Sequence, residues 1–265
     1  MATLKDVAKL ACVDVSTVSR ALNNTSYVHP DTKKRIMAAV EQLSYKPNIL
    51  AKGLRQGKRN TIGVVVPRLH LTLYADMMQG IENECRSLGY ATMVCITEDD
   101  CDLEKDYLNR LRNGFVDGII IAGTGKNNHL LRDIHIEGLG IIQIVRKQDK
   151  SLSSVIAEYD AGGYDTVKYL YDKGCRNIGL INGSMNYAPY KERYNGFQRA
   201  IKELGLNEYC AESPDSINSF GYGYQCTEQL LNNNPKLDAI MAAVDIQGMA
   251  ALRALKVHGL KVPQD

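Results

Sequence analysis

The sequence predicts an all-α head followed by an α/β core made of two doubly wound halves. Three observations carry that expectation. Between Leu4 and Leu43, apolar side chains recur at three- and four-residue steps, the period of helices. From Thr61 onward, short apolar runs alternate with helical patterns, as in parallel sheets covered by helices. The charge also changes sign between these regions. Residues 1–60 hold 11 Lys and Arg against 4 Asp and Glu, and the rest hold 21 against 26, so a net charge of only +2 conceals a basic head on an acidic body. Such an excess supplies salt-sensitive affinity for phosphate backbones.

The elements of the head follow in order. Leu4, Val7, Ala8 and Ala11 share one helix face, and Thr3 with Asp6 makes a capping-box pattern. The turn is Cys12-Val13-Asp14. Cys12 falls where a left-handed conformation is needed, which Gly or Asn adopts more cheaply. Asp14 suits the N-cap of a second helix carrying Val15, Val18 and Leu22. Small Ala8 lets the two helices approach, and Val18 fills their crossing. Two short helices around a tight turn read as a helix-turn-helix, whose second helix enters the major groove of DNA. A plain helical hairpin has the same spacing. A third helix starts at Pro30, with His29 at its N-cap, and Ile36, Ala39, Val40 and Leu43 close a three-helix core. Pro47 then stops the chain, and Asn48 can cap a two-turn helix reaching Arg55. That segment is too short to be stable alone, and Gly53 weakens it further. Residues 56–60 form a polar linker.

In the core, strands are expected at Ile62–Val66, Ala91–Ile96, Val116–Ala122 and Gly140–Val145, with helices between them. The pattern repeats after Asp160. Strands fall at Ile178–Ile181 and Ala239–Ala243, and a further one near Tyr209–Ala211. The expected organisation is a head at 1–46, a hinge and linker at 47–60, and two α/β subdomains at 61–159 and 160–265. No run approaches the roughly 18 apolar residues of a membrane span, and the charged first helix is unlike a secretory signal. Seven scattered cysteines without a C-x-x-C favour reduced thiols in a cytoplasm. The histidines show no metal spacing. Gly123-Thr124-Gly125-Lys126 completes neither G-x-G-x-x-G nor a P-loop, because Asn127 stands where Ser or Thr is required. It reads as a loop at a strand end. No nucleophile elbow or catalytic carboxylate pair is present, so no catalytic residue, metal or cofactor is expected, and an enzyme is disfavoured.

The run TLKDVAKLACVDVSTVSRALNN, Val28, TKKRIMAAVEQLSYKPN and AKGL resemble the lactose-repressor family of bacterial transcription regulators, and the similarity continues through most of the chain. The resemblance implies a helix-turn-helix headpiece and a periplasmic-binding-protein-like core. It places the main base contacts at Val15, Ser16 and Arg20. Arg can bind guanine O6 and N7 with two parallel bonds, and Val can meet a thymine methyl. Thr17, Ser19, Asn23 and Tyr27 carry polar groups suited to phosphates, which set register. The two-turn segment matches the family's hinge, with Asn48, Ala51 and Lys52 beside Leu54, the residue matching a minor-groove wedge; an ordinary polar linker is the alternative. Arg193 and Asp245 match effector-binding positions, while Tyr74 and Arg146 are cleft candidates beside a packing role. Asp245 can equally cap the helix that follows it. The run Asn186-Tyr187-Ala188-Pro189-Tyr190 lacks the polar pattern of the family's purine binders.

The resulting expectation is a cytoplasmic, nucleoid-associated bacterial regulator, most plainly a repressor. It would bind a palindromic double-stranded operator as a homodimer and answer to a sugar-like effector, with no membrane role. Helix stripes at Met77, Met78 and Ile81 and at Met249 and Leu252 are candidate dimer surfaces. The sequence stops at Val262-Pro263-Gln264-Asp265, where the family enters another strand, so the second subdomain reads as truncated with an exposed sheet edge. An effector-insensitive DNA-binding protein and a solute-binding protein without a DNA role are the alternatives.

Overall fold

The computed structural model describes residues 2–45, 58–212 and 220–265. Contacts divide it into two units, Met1–Asn60 and Thr61–Asp265. The first unit has three helices, α1 (Leu4–Leu10), α2 (Val15–Asn23) and α3 (Pro30–Gln42). The Thr3 hydroxyl accepts from the Asp6 N–H, and the Asp6 carboxylate accepts from the Thr3 N–H at 2.8 Å, closing the capping box. Those bonds hold the Asp6 carboxyl below the usual carboxylate range. Cys12 takes the left-handed turn position at φ 52°. Val7, Val18 and Ile36 are fully buried, and Ala8, Ala11, Ala21 and Ala39 surround them. Four alanines let three short helices close over three large side chains, which is how so small a unit excludes water. Asp14 and His29 stand at the N-caps of α2 and α3, but neither side chain makes a capping bond. The hinge candidates Asn48, Ala51, Lys52 and Leu54 lie outside the described residues.

The second unit contains two parallel sheets. The first holds β1 (Thr61–Val66), β2 (Ala91–Ile96), β3 (Gly118–Ile121), β4 (Gly140–Ile144) and β5 (Ser153–Val155), in the order β2-β1-β3-β4-β5. Three helices connect them: α4 (Thr72–Ser87), α5 (Cys101–Arg112) and α6 (Asn128–Ile136). Val65, Ile119 and Ile141 pack under Leu108 and Leu111 of α5 and Leu131 and Ile134 of α6. Val64 and Val66 point the other way, toward Tyr74 of α4. The alternation along β1 thus puts helices on both faces. The second sheet holds β6 (Ile178–Asn182), β7 (Tyr209–Glu212) and β8 (Ala239–Ala242), in the order β7-β6-β8. One face carries α7 (Tyr159–Asp172) and α8 (Ala188–Glu203), through Val167, Phe197 and Ile201. The other carries α9 (Phe220–Asn233) and α10 (Asp245–Val257), through Cys226, Leu230 and Ala251.

The strand at β5 has no counterpart in the sequence reading. Ser-Ser-Val is no apolar run, and only its pairing with Ile142–Ile144 makes it a strand. Asp245 does not cap α10. Val244 is the N-cap, and Asp245 opens the first turn with its side chain exposed. Met77, Met78 and Ile81 are half-buried against the first sheet's core, whereas Met249 and Leu252 are exposed.

Two glycines let α7 and α8 meet backbone to backbone. A Cβ on Gly163 would overlap the Arg193 carbonyl oxygen, and one on Gly196 would overlap the Asp160 carbonyl oxygen. Neither obstacle is a flexible side chain. Gly196→Ala is therefore expected to lower unfolding free energy by about 3 kcal/mol, the upper part of the range for overpacking. Gly162→Ala, one residue from the contact and facing open space, is expected to be neutral or stabilising by up to about 1 kcal/mol. Urea melts of the two variants check the contrast.

Candidate nucleic-acid interface and ligand cavity

In α2 the apolar period places Val18 and Ala21 inward, which turns Val15, Ser16 and Arg20 outward. The Arg20 guanidinium lies along its own helix. Nε donates to the Ser16 carbonyl at 3.3 Å and Nη2 to the Thr17 hydroxyl at 3.2 Å. Among the described residues no carboxylate stands within 4 Å of it. Asn23 donates to the Ser19 carbonyl at 2.9 Å, and Tyr27 is 82% exposed. Asn24 ends α2 in a left-handed conformation, and Lys33 of α3 donates to its side-chain oxygen at 2.8 Å. The polar groups at 17, 19, 23 and 27 thus sit on or just beyond α2.

In the second unit a cavity of about 590 Å³ brings Tyr74, Arg146, Arg193 and Asp245 into one lining. Both halves contribute to it. Strand order reverses between β2-β1 and β1-β3, and the carboxyl ends of open parallel sheets are where ligands bind. Arg146 follows β4 through a strained turn. Val145 has φ 62°, unfavourable for a β-branched residue, and the Arg146 N–H donates to the Ile144 carbonyl at 2.6 Å. The side chain is buried. Its Nη1 donates to Asp99 at 2.5 Å and to the Gly123 carbonyl at 3.2 Å. Asp99, itself at φ 64°, also accepts from Arg68 at 2.8 Å. From the second half, the Tyr187 ring lies 4.1 Å from the Arg146 guanidinium carbon. Burial alone would pull the Arg146 pKa down, but Tyr74 and Asp99 outweigh it and raise it.

Arg193 projects from α8 in a different setting. Among the described residues its polar contact is the Pro189 carbonyl at 3.5 Å, and the rings of Tyr159 and Tyr190 stand 5.2 and 5.9 Å away. Burial lowers its pKa. Asp245 is exposed at the start of α10. Tyr74 is buried, and burial pushes its phenol up to about 12.

The glycine-rich loop after β3 is already occupied. The fully buried Glu104 carboxylate accepts from the Thr124 N–H at 2.6 Å, the Thr124 hydroxyl at 2.9 Å and Asn127 Nδ2 at 2.9 Å. An internal carboxylate takes the donors that a phosphate would need.

The sequence leaves the tyrosines of the Asn186–Tyr190 run open between stacking on a sugar face and packing, and Tyr190 lines the cavity. Sequence reasoning missed Asp99, Tyr159 and Phe220. Asp99 had one signal, an acidic run at the carboxyl end of an expected strand. Tyr159 and Phe220 had none that separates cavity lining from packing.

Residues 3–48 match the family model described as bacterial regulatory proteins, lacI family. Residues 59–265 match the model described as periplasmic binding proteins and sugar binding domain of LacI family. The chain belongs to the LacI family. It is a DNA-binding transcription regulator with a small-molecule-binding core, not an enzyme. The chain is 35% identical to the HTH-type transcriptional repressor PurR of Aliivibrio salmonicida, over all of this chain and 80% of that relative. It is 32% identical to the HTH-type transcriptional regulator RegA of Clostridium saccharobutylicum, over all of this chain and 81% of the relative. A lac repressor dimer bound to operator and the anti-inducer ONPF superposes with a TM-score of 0.88 at 25% identity, over all of this chain and 80% of that one. The headpiece match sets aside the solute-binding alternative without a DNA role. No helix among the described residues is long and apolar enough to cross a membrane.

The Tyr74 phenol makes a pH prediction for this LacI-family core. A buried phenol that ionises at about 12 instead of 10 favours the folded state while it is neutral. That stability is fully present below pH 10 and is lost as pH rises through 12. Tyr74→Phe is expected to leave stability near pH 8 almost unchanged and to shrink the loss between pH 10 and 12. Denaturant melts across that window measure it.

Proposed function

We propose that this LacI-family protein is a cytoplasmic, nucleoid-associated repressor that binds a near-palindromic operator as a homodimer and responds to a sugar or sugar derivative. The observation that carries the DNA reading is the outward face of α2. Val15, Ser16 and Arg20 are exposed on a helix whose opposite face is locked by the fully buried Val18. In this reading Arg20 reads a guanine, Val15 a thymine methyl and Ser16 a base edge. Thr17, Ser19, Asn23 and Tyr27 hold phosphates and set register. Asn48, Ala51, Lys52 and Leu54 order as a paired hinge on DNA, with Leu54 wedging a base step from the minor groove.

A second copy is needed because one headpiece makes few contacts, and linkage raises the effective concentration of the other. The exposed Met249 and Leu252 on α10 suit part of that interface. The effector binds among Tyr74, Arg146, Arg193 and Asp245. Because the two halves of the core each supply a share of that lining, ligand affinity depends on their pose, and pose in turn biases the hinge.

Mobility shifts with palindromic and scrambled duplexes test the reading. Binding is expected to favour the palindrome and to weaken steeply with salt. Arg20→Ala is expected to cost about 1–3 kcal/mol of discrimination at one base pair of each half-site. Equal weakening on every sequence would instead make Arg20 a phosphate contact.

A further inference from the structure

Residues 1–60 carry four acidic side chains, Asp6, Asp14, Asp31 and Glu41, in a segment rich in Lys and Arg. Asp6 is tied into the capping box of α1. Asp31 lies 3.7 Å from the His29 imidazole at the start of α3, and Glu41 lies in the last turn of α3. Asp14 is different. It stands directly before Val15 and Ser16 on the helix that faces DNA, and α2 itself contains no acidic residue.

The backbone of Asp14 is in capping register. Its carbonyl accepts from the Thr17 and Val18 N–H groups at 2.9 and 3.1 Å. Its side chain makes no capping bond and is exposed. Among the described residues no Lys, Arg or His lies within 4 Å of the carboxylate.

A free carboxylate on this surface has an electrostatic consequence. DNA meets α2 with a dense row of phosphates, and a like charge beside them is repelled. Ser or Asn would cap the helix as well without that charge. The carboxylate is therefore a cost on an arbitrary duplex, and it becomes favourable only where the DNA offers a donor. The major groove narrows the choice. Guanine presents N7 and O6 and thymine presents O4, all acceptors. Adenine sets its N6 donor beside the N7 acceptor, whereas cytosine presents an N4 amino group with no acceptor next to it. A carboxylate can only accept, so cytosine is the base it fits.

We infer that Asp14 is a specificity-determining residue of the DNA interface: its carboxylate accepts from the N4 amino group of a cytosine in each half-site and is repelled by the acceptor edges of the other bases. This rests on the reading of α2 as the base-reading helix given above. Arg20 and Val15 then favour the right sequence, and Asp14 adds a penalty for the wrong one.

The test is selection by the full chain on a randomised palindromic duplex library, followed by titrations on the selected duplex with each base replaced in turn. The unmutated protein is expected to select cytosine at one position of each half-site and to bind the other bases there about tenfold or more weakly. Asp14→Ser keeps a capping residue and is expected to level that position while strengthening binding to unrelated duplexes. Asp14→Asn carries a donor beside its acceptor and is expected to move the preference at the same position from cytosine to adenine. A structural role alone would not change which base is chosen. Both variants are expected to melt with the unmutated protein, because both residues cap helices well. Identical base preferences in all three proteins, with both variants binding every duplex more tightly, overturn the inference and leave the operator reading standing. An unmutated protein that selects no sequence overturns the operator reading and the inference with it.

Discussion

One carboxylate ties together three strand ends of the first half of the core. Asp99 follows β2, Arg68 follows β1 and Arg146 follows β4, and both guanidiniums converge on Asp99 in a nearly water-free site. An ion pair in such a place is a weak source of net stability, because desolvation consumes most of the attraction. What it supplies is geometry. Glu98, Asp99 and Val145 all sit at positive φ, a cost of order 1–3 kcal/mol for each strained residue. These three unfavourable backbone positions stand at the strand ends from which the paired charges project. With Arg146 fixed in this way, its outer face is presented to Tyr187 of the second half. This contact between halves is a π face instead of a second ion pair, and Tyr159 adds apolar packing against the first sheet.

The second half solves a related problem by a different route. Arg193 and Tyr159 must stand close enough to share one cavity wall, yet they belong to different helices. Gly163 and Gly196 remove the side chains that would keep those helices apart. The approach is set by backbone oxygens, which do not yield, so the cavity wall is as rigid as the crossing. The glycine-rich loop of the first half shows the converse. Its donors would accept a phosphate, but Glu104 fills them from within. The loop is a fixed abutment for Arg146, through the Gly123 carbonyl.

Much of this was readable in the sequence where a single period decided the outcome. Val18 and Ala8 announce the crossing of the first two helices, and the apolar run at 62–66 announces a strand covered on both faces. Thr3 and Asp6 announce a cap through local chemistry alone. The misses have a common cause: they depend on residues distant in the chain. Ser153–Val155 is a strand only because β4 offers it an edge. Asp14 and His29 occupy cap positions, but neither side chain makes the capping bond. Asp245 is displaced by one residue from the cap because Val244 already has the extended backbone that precedes α10. Tyr159 and Phe220 look like packing residues in sequence, since an aromatic ring reads the same in a core and in a cavity wall. Gly163 and Gly196 carry no turn signal. Only the partner helix reveals why they are glycine.

The division of the cavity has a consequence for regulation. A ligand can shift an equilibrium only by the difference between its affinities for the two states. If one half supplied every contact, affinity would be the same at any relative pose, and binding would report nothing. Here Arg146 and Tyr74 belong to the first half, and Arg193 and Asp245 belong to the second. Opening the halves therefore removes contacts from a bound molecule in proportion to its reach.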